Sequence, residues 1–403
     1  MDHHTIWVNS KALEIAGIAD IKVDPPIGTI ERRVDGSPLG TLREWDAIAL
    51  VTKHIPTRKM ELELSALEYS CKRYAACGVT WVQDAWVDRG MAEAYIAAEN
   101  SGRLSIGFNL GFRADLYSWR EDIPYILEQQ RAVQALPSPS NLTANTIKFF
   151  ADGVIEGGTA FLLDEYCDHP GYQGMPVWNR DALIDAVIAF DALGFQIFIH
   201  AIGDGGVRNS LDAIEAAINR NPPRDRRPVI THIQLLDPSD LPRFKKLGII
   251  ANFEPFWTKL DPMQVVLSVP RLGPDRTARQ YQMHSLHDQG VILSFGSDWP
   301  VTTEVPLEGL TVAVHRQTPD RQPDGGWIPA EKITMEEALQ AYTSGVAYQA
   351  FAEDRWGQLS KGFEANFIVL AQDPREIDPH LAGKEKVLAT YRHGEEIYSL
   401  SHG

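Results

Sequence analysis

Cysteine is scarce in this chain. Cys71, Cys77 and Cys167 are its only three in 403 residues, too few for a disulfide framework and without a Cys-x-x-Cys pair to hold a metal. Cys71 and Cys77 fall in a predicted helix and read as reduced, packed residues. Basic side chains are also in deficit. Lys and Arg total 38 against 54 Asp and Glu, a formal charge of −16. Nucleic acids and anionic membranes recruit basic surface, so neither is the expected partner. No run of about 18 apolar residues occurs, so no membrane-spanning helix is expected. The opening MDHHTIWVNS lacks the basic-then-apolar order of a secretory leader. The cytoplasm is therefore the expected compartment. Internal repeats and low-complexity tracts are absent too.

What is present is a long alternation of strand-like and helix-like segments. Apolar residues make up 44% of the chain, ample for a large core. After a helical stretch over Met60 to Ala76, GVTWVQD reads as a strand from Val79 to Val82. RLSIGFNL, TIKFF, FQIFIH, VITH, GIIANF and VILSFGS follow as strands, with helical segments between them. One of these helices places Val207, Leu211, Ile214 and Ile218 at near-helical spacing, and Pro306 to His315 reads as the last of the series. Alternation of this kind predicts parallel strands with crossover helices. The fold class is α/β, a TIM-type (β/α) barrel.

Seven β/α units are recognisable, whereas a closed barrel takes eight. The first strand is the missing one, and Val79 and Leu293 would then stand at two unpaired edges. Before Gly78 the sequence offers a short helix from Ser10, a Pro25-Pro26 link and hairpin-like pieces in GTIERRVDGSPLGTLRE. Residues 1–350 are assigned to the barrel, with an N-terminal insertion segment over 1–56. Residues 351–403, with three short strands and Gly-containing turns, read as the remainder of a small β-sandwich domain. With its partner strands missing, that domain would leave Phe367 and Val369 poorly covered.

Four strand ends carry chemistry. Lys148 lies in TIKFF, His200 closes FQIFIH, His232 closes VITH, and Asp298 follows VILSFGS. In a β/α barrel the C-terminal strand ends converge, so a Lys, two His and an Asp would meet. A buried Lys is costly and needs a reason. One is a salt bridge, with Asp152 as the nearest candidate. Another is reaction of the neutral amine with CO2 to a carbamate that bridges two metals. A lone strand-end His is ordinarily a hydrogen-bonded structural residue, but two in successive units point at one mouth, and neutral imidazole suits zinc. Asp298 alone reads as a turn former. In the metal reading it is a ligand and the catalytic proton shuttle. Trp86, Trp257 and Trp299 sit in strand-end loops and either wall an apolar substrate pocket or pack locally. Asp152, Glu156 and Thr159 read as supporting loop residues. His284, His287 and His315 read as ordinary helix residues.

The order of these motifs resembles the amidohydrolase superfamily. The finer texture is similar to its amidohydrolase-3 branch, the YtcJ-like proteins and N-substituted formamide deformylases. The match is carried by DHHTIWVNSKALEIAGI, GVTWVQD, IKFFADGVIEGGTA, IHAIGDGGV, THIQLLDPSD, GSDWPV and GQLSKGFEANFIVL. The resemblance implies a metal-dependent hydrolase of non-peptide C–N bonds acting on a small molecule, with zinc as the expected metal in one or two ions. Lys148 would be the carboxylated bridging ligand, His200 and His232 would hold the second metal, and Asp298 would be ligand and base. His4, Trp7 and Asn9 would lie near the substrate mouth. Family members also carry a His-x-His pair at the first barrel strand, and none occurs in this chain. Two readings therefore stay open: an active amidohydrolase, or a catalytically defective relative lacking its front, either a binding remnant or a mis-started gene model. Self-association is open as well.

Overall fold

The computed structural model describes residues 3–402. The chain first lays down β1 (Thr5–Trp7), β2 (Thr29–Arg32) and β3 (Pro38–Arg43), paired antiparallel in the order β1-β3-β2. Ile18, Ile30, Leu42 and Ala47 give this segment a small core of its own. The hairpin of β2 and β3 was legible in the sequence; TIW as its third strand was not.

Seven strands then form the central sheet: β4 (Trp81–Val87), β5 (Gly107–Arg113), β6 (Leu142–Phe150), β7 (Gln196–Ala201), β8 (Val229–His232), β9 (Ile250–Phe253) and β10 (Leu293–Phe295). They stand side by side in sequence order, and every neighbouring pair is parallel. This is a curled β/α sheet of the TIM type with seven units. Among the described residues no strand joins β4 to β10, so the curl does not close. Burial records the consequence. Every residue of β7, β8, β9 and β10 is buried, whereas Trp81 to Trp86 are only half-buried along β4. At the other edge, helices Met335–Tyr342 and Ser344–Gln349 pack on β10.

The sequence explains the layers. Strands covered on both faces read as continuous apolar runs, as QIFIHA does in β7. The crossover helices are one-sided: Asp204–Arg220 buries Val207, Leu211, Ile214 and Ala217, a stripe at helical spacing. The strand expected from Val79 begins at Trp81 instead. The Val79 N–H closes the end of helix Met60–Ala76 by donating to the Tyr74 carbonyl at 2.9 Å, so it is not available to a ladder. β5 also starts later than expected, at Gly107, whose N–H donates to the Thr80 carbonyl at 2.9 Å.

The C-terminal strands β11 (Phe367–Leu370), β12 (Val387–Arg392) and β13 (Glu395–Ser399) form an antiparallel sheet in that order. The Thr390 hydroxyl ties it to helix Met60–Ala76 by donating to the Ala75 carbonyl at 2.7 Å. Val369 is 39% exposed, whereas Phe367 stacks on Tyr391 with ring centroids 4.6 Å apart. Among the described residues no helix is long and apolar enough to cross a membrane.

Candidate active site

The register of β6 on β7 sets the first half of the site. Lys148 pairs with Phe198, and Phe150 with His200. Residues two apart on a strand share a face, so these four side chains stand on one side of the sheet. The Lys148 Nζ lies 4.8 Å from the Phe150 ring centroid and 4.7 Å from that of Phe198. Lys148 is buried, and burial pushes its amine down to about 8, against the opposing pull of Asp298 and Glu254. The salt bridge considered for Lys148 with Asp152 is not formed. Asp152 is spent elsewhere: its carboxylate accepts the N–H groups of Phe161, Ile202 and Gly203 at 2.9, 3.0 and 2.8 Å. It thereby pins the loop after β6 to the turn after β7.

The two histidines are each tied by one nitrogen. His200 Nε2 is 3.1 Å from the Gly153 carbonyl. A carbonyl only accepts, so Nε2 carries the proton and Nδ1 the lone pair. Burial, then the neighbouring His232, His4 and Lys148, hold His200 well below the usual imidazole range, so the ring is neutral. His232 Nδ1 donates to Glu254 Oε2 at 2.7 Å, which leaves Nε2 as the acceptor. The two rings meet at 4.6 Å between centroids.

Strand alternation alone would not bring them together. Thr231 is the register partner of His200, so the next residue, His232, would face the helical layer. His232 instead has φ +76° and Ile233 φ +44°, and this left-handed turn swings the imidazole into the site. Asp298 sits just past β10 with φ +52°, and Glu44 has φ +59°. Left-handed backbone in non-glycine residues costs about 1–3 kcal/mol each and gathers at functional sites. Asp298 is exposed to solvent yet ringed by protein. That crowding raises its carboxyl above the usual range, Glu254 raises it further, and His232, Lys148 and His4 act against the rise. The set is open. Among the described residues, no three His, Cys, Asp or Glu ligand atoms at this mouth lie within 4.8 Å of one another.

The N-terminal segment adds a third imidazole. His4 is buried, and its ring centroid is 5.1 Å from that of His200. Its Nδ1 is 2.9 Å from Glu44 Oε2, and the Thr159 hydroxyl donates to Glu44 Oε1. Trp45 and Trp86 continue the wall, with ring centroids 4.8 and 5.0 Å from Phe150. Trp257 stacks on His232 at 5.3 Å and 12°. Trp299 packs edge-on against Tyr74 at 5.7 Å. Two residues expected at the mouth are not brought to it. Ile6 and Val8 pack into the small N-terminal core, so alternation turns Trp7 out, and it is 86% exposed. The Asn9 side chain caps helix Ser10–Ile15 by accepting the Ala12 N–H at 3.0 Å.

Three contributors escaped sequence reasoning: Glu254, Glu44 and Trp45. Glu254 had a faint signal, since Ile250, Asn252 and Glu254 share a face at period two and grow polar toward the strand end. Below it runs a polar chain. The Thr231 hydroxyl donates to Asn252 Oδ1 at 2.7 Å and lies 3.1 Å from Glu254 Oε1. Asn252 Nδ2 donates to Ser294 Oγ at 2.9 Å, and Ser294 Oγ donates to Gln349 Oε1 at 2.5 Å. Glu44 and Trp45 had no local signal at all.

The sequence profile of the amidohydrolase family matches residues 1–398. Protein LONG AFTER FAR-RED 3 of Arabidopsis thaliana is 32% identical over 412 residues, spanning 99% of this chain and 68% of its own. The putative amidohydrolase YtcJ of Bacillus subtilis is 28% identical, over 99% of this chain and 73% of its own. N-substituted formamide deformylase of Arthrobacter pascens is 26% identical, over 97% and 71%. Among solved structures, an uncharacterized metal-dependent hydrolase from Pyrococcus furiosus superposes with a TM-score of 0.71 at 25% identity, over 93% of this chain and 71% of its own.

Proposed function

This chain belongs to the amidohydrolase family, and from that premise we propose that it hydrolyses a non-peptide C–N bond of the amide or formamide type in a small molecule, with metal assistance. The observation that carries the reading is the pair His200 and His232. Each has one ring nitrogen fixed by an oxygen acceptor, at 3.1 and 2.7 Å, which is how metal-ligating imidazoles are oriented. Lys148, His200, His232 and Asp298 would hold one or two divalent ions, zinc first, because neutral imidazole and carboxylate donors suit it. A divalent ion there supplies Lewis acidity toward a carbonyl oxygen and toward water.

The chain's own groups do the rest. Burial keeps part of the Lys148 population as free amine near neutral pH. That amine adds to the carbon of CO2, an N–C bond forms, one N–H proton leaves to solvent, and the carbamate offers two oxygens. Asp298 takes a proton from the attacking water and gives it to the departing nitrogen. Trp86, Trp257 and the missed Trp45 offer apolar faces to an N-substituent. The deformylase relative supports the formamide class in particular.

The test is a panel of N-alkyl and N-aryl formamides and simple amides, assayed for amine release after chelation and again after zinc is restored. Hydrolysis that disappears on chelation and returns with zinc is expected. No turnover of any member, at any metal loading, would overturn the hydrolase reading.

A further inference from the structure

A second cluster of ligand-type residues lies at the C-terminal end of helix Pro306–His315, where it meets the short helix Pro379–Ala382. The rings of His315 and His380 lie face to face, with 3.8 Å between centroids and 6° between planes. One ligand atom from each of His315, Asp378 and His380 falls within 4.8 Å of the other two. Among the described residues this is the grouping that meets that criterion, and the barrel mouth does not. The His315 Nε2 is sealed from solvent and has no hydrogen-bond partner among the described residues. Buried polar atoms are normally paired, so this nitrogen needs an explanation that packing does not give. Asp378 is held in place from both sides. Its Oδ1 accepts the His380 N–H at 3.0 Å, and its Oδ2 meets Arg321 Nη2 at 3.0 Å.

We propose that His315, Asp378 and His380 form a binding site for a borderline divalent cation of the zinc class, separate from the barrel mouth. Two imidazoles and one carboxylate match the preferences of such ions. Zinc–nitrogen bonds of about 2.0–2.1 Å set tetrahedral donors about 3.4 Å apart, so the two rings must rotate out of their parallel stack to converge on the ion. The rings are already in the ligating form: burial and nearby cations push His315 down to about 4 and lower His380 as well. Those cations also oppose the ion. Arg321 competes directly for Asp378. The site would staple the segment between β11 and β12 to the last barrel helix.

The competition gives the test an outcome that damage to the fold cannot imitate. Zinc calorimetry and cobalt(II) absorption would be run on the full chain carrying His200→Ala and His232→Ala, so that the mouth does not contribute. One ion is expected, with visible cobalt bands of a site bearing nitrogen ligands. His380→Ala should weaken it by at least about 100-fold. Arg321→Gln, a change at an exposed side chain, should tighten it severalfold by freeing the Asp378 carboxylate. Unchanged affinity in His380→Ala, or weaker rather than tighter binding in Arg321→Gln, would overturn the assignment.

Discussion

Replacing Lys148 with Ala is expected to lower hydrolysis by at least about 1,000-fold, the equivalent of roughly 4 kcal/mol of transition-state stabilisation, and to leave the protein no less stable. The two effects have opposite origins. Lys148 is buried between the rings of Phe150 and Phe198, with desolvation dominating its environment. A charge in that position opposes folding, so its removal should hold or raise the melting temperature. A merely structural lysine would behave the other way, with stability lost and activity little changed. Short carboxylic acids added to the variant should restore part of the rate, since they supply the two oxygens of the lost carbamate. Full activity in Lys148→Ala would remove the bridging role.

The second large effect concerns the tie between Glu254 and His232. His232→Ala should lower zinc affinity at the mouth more than any change beyond the direct donors. Glu254→Gln should lower it by about 10–100-fold, the usual cost of losing an outer partner of a ligating imidazole. Gln keeps an acceptor for His232 Nδ1 but loses the charge that orients the ring. The polar chain from Thr231 through Asn252 and Ser294 to Gln349 would hold the backbone in both variants. Calorimetric titration in a His380→Ala background isolates the mouth. Equal losses in the two variants would mean that Glu254 acts on the ion itself rather than through His232.

The sequence made the barrel legible because β6 to β9 are short, dense apolar runs whose last residues differ sharply from the rest. Lys148, His200 and His232 were all legible as strand-end residues that meet at one mouth. The way His232 reaches it was not. Alternation puts it outside, and only the left-handed turn at His232 and Ile233 brings it in. Nothing in VITHIQ announces that turn. Glu44 was out of reach for another reason. It meets His4 across 40 residues through a hairpin whose third strand, TIW, is too short to read, and its own backbone is left-handed. Trp7 was expected at the mouth from the resemblance alone, and the short strand that turns it outward was not recognised. The seven-strand count needed only local signals and appears unchanged in the sheet order.

On the proposed reading, Lys148, His200, His232 and Asp298 would hold a divalent metal at the barrel mouth. Anomalous diffraction at the zinc edge, on crystals of the full chain grown with zinc, tests it most directly. A peak is expected within about 2.0–2.2 Å of His200 Nδ1 and His232 Nε2, the nitrogens left by their ties to Gly153 and Glu254, with Asp298 or a carboxylated Lys148 completing the set. Clear density for these four side chains with no anomalous signal among them, in protein that hydrolyses its substrate at full rate, would contradict it.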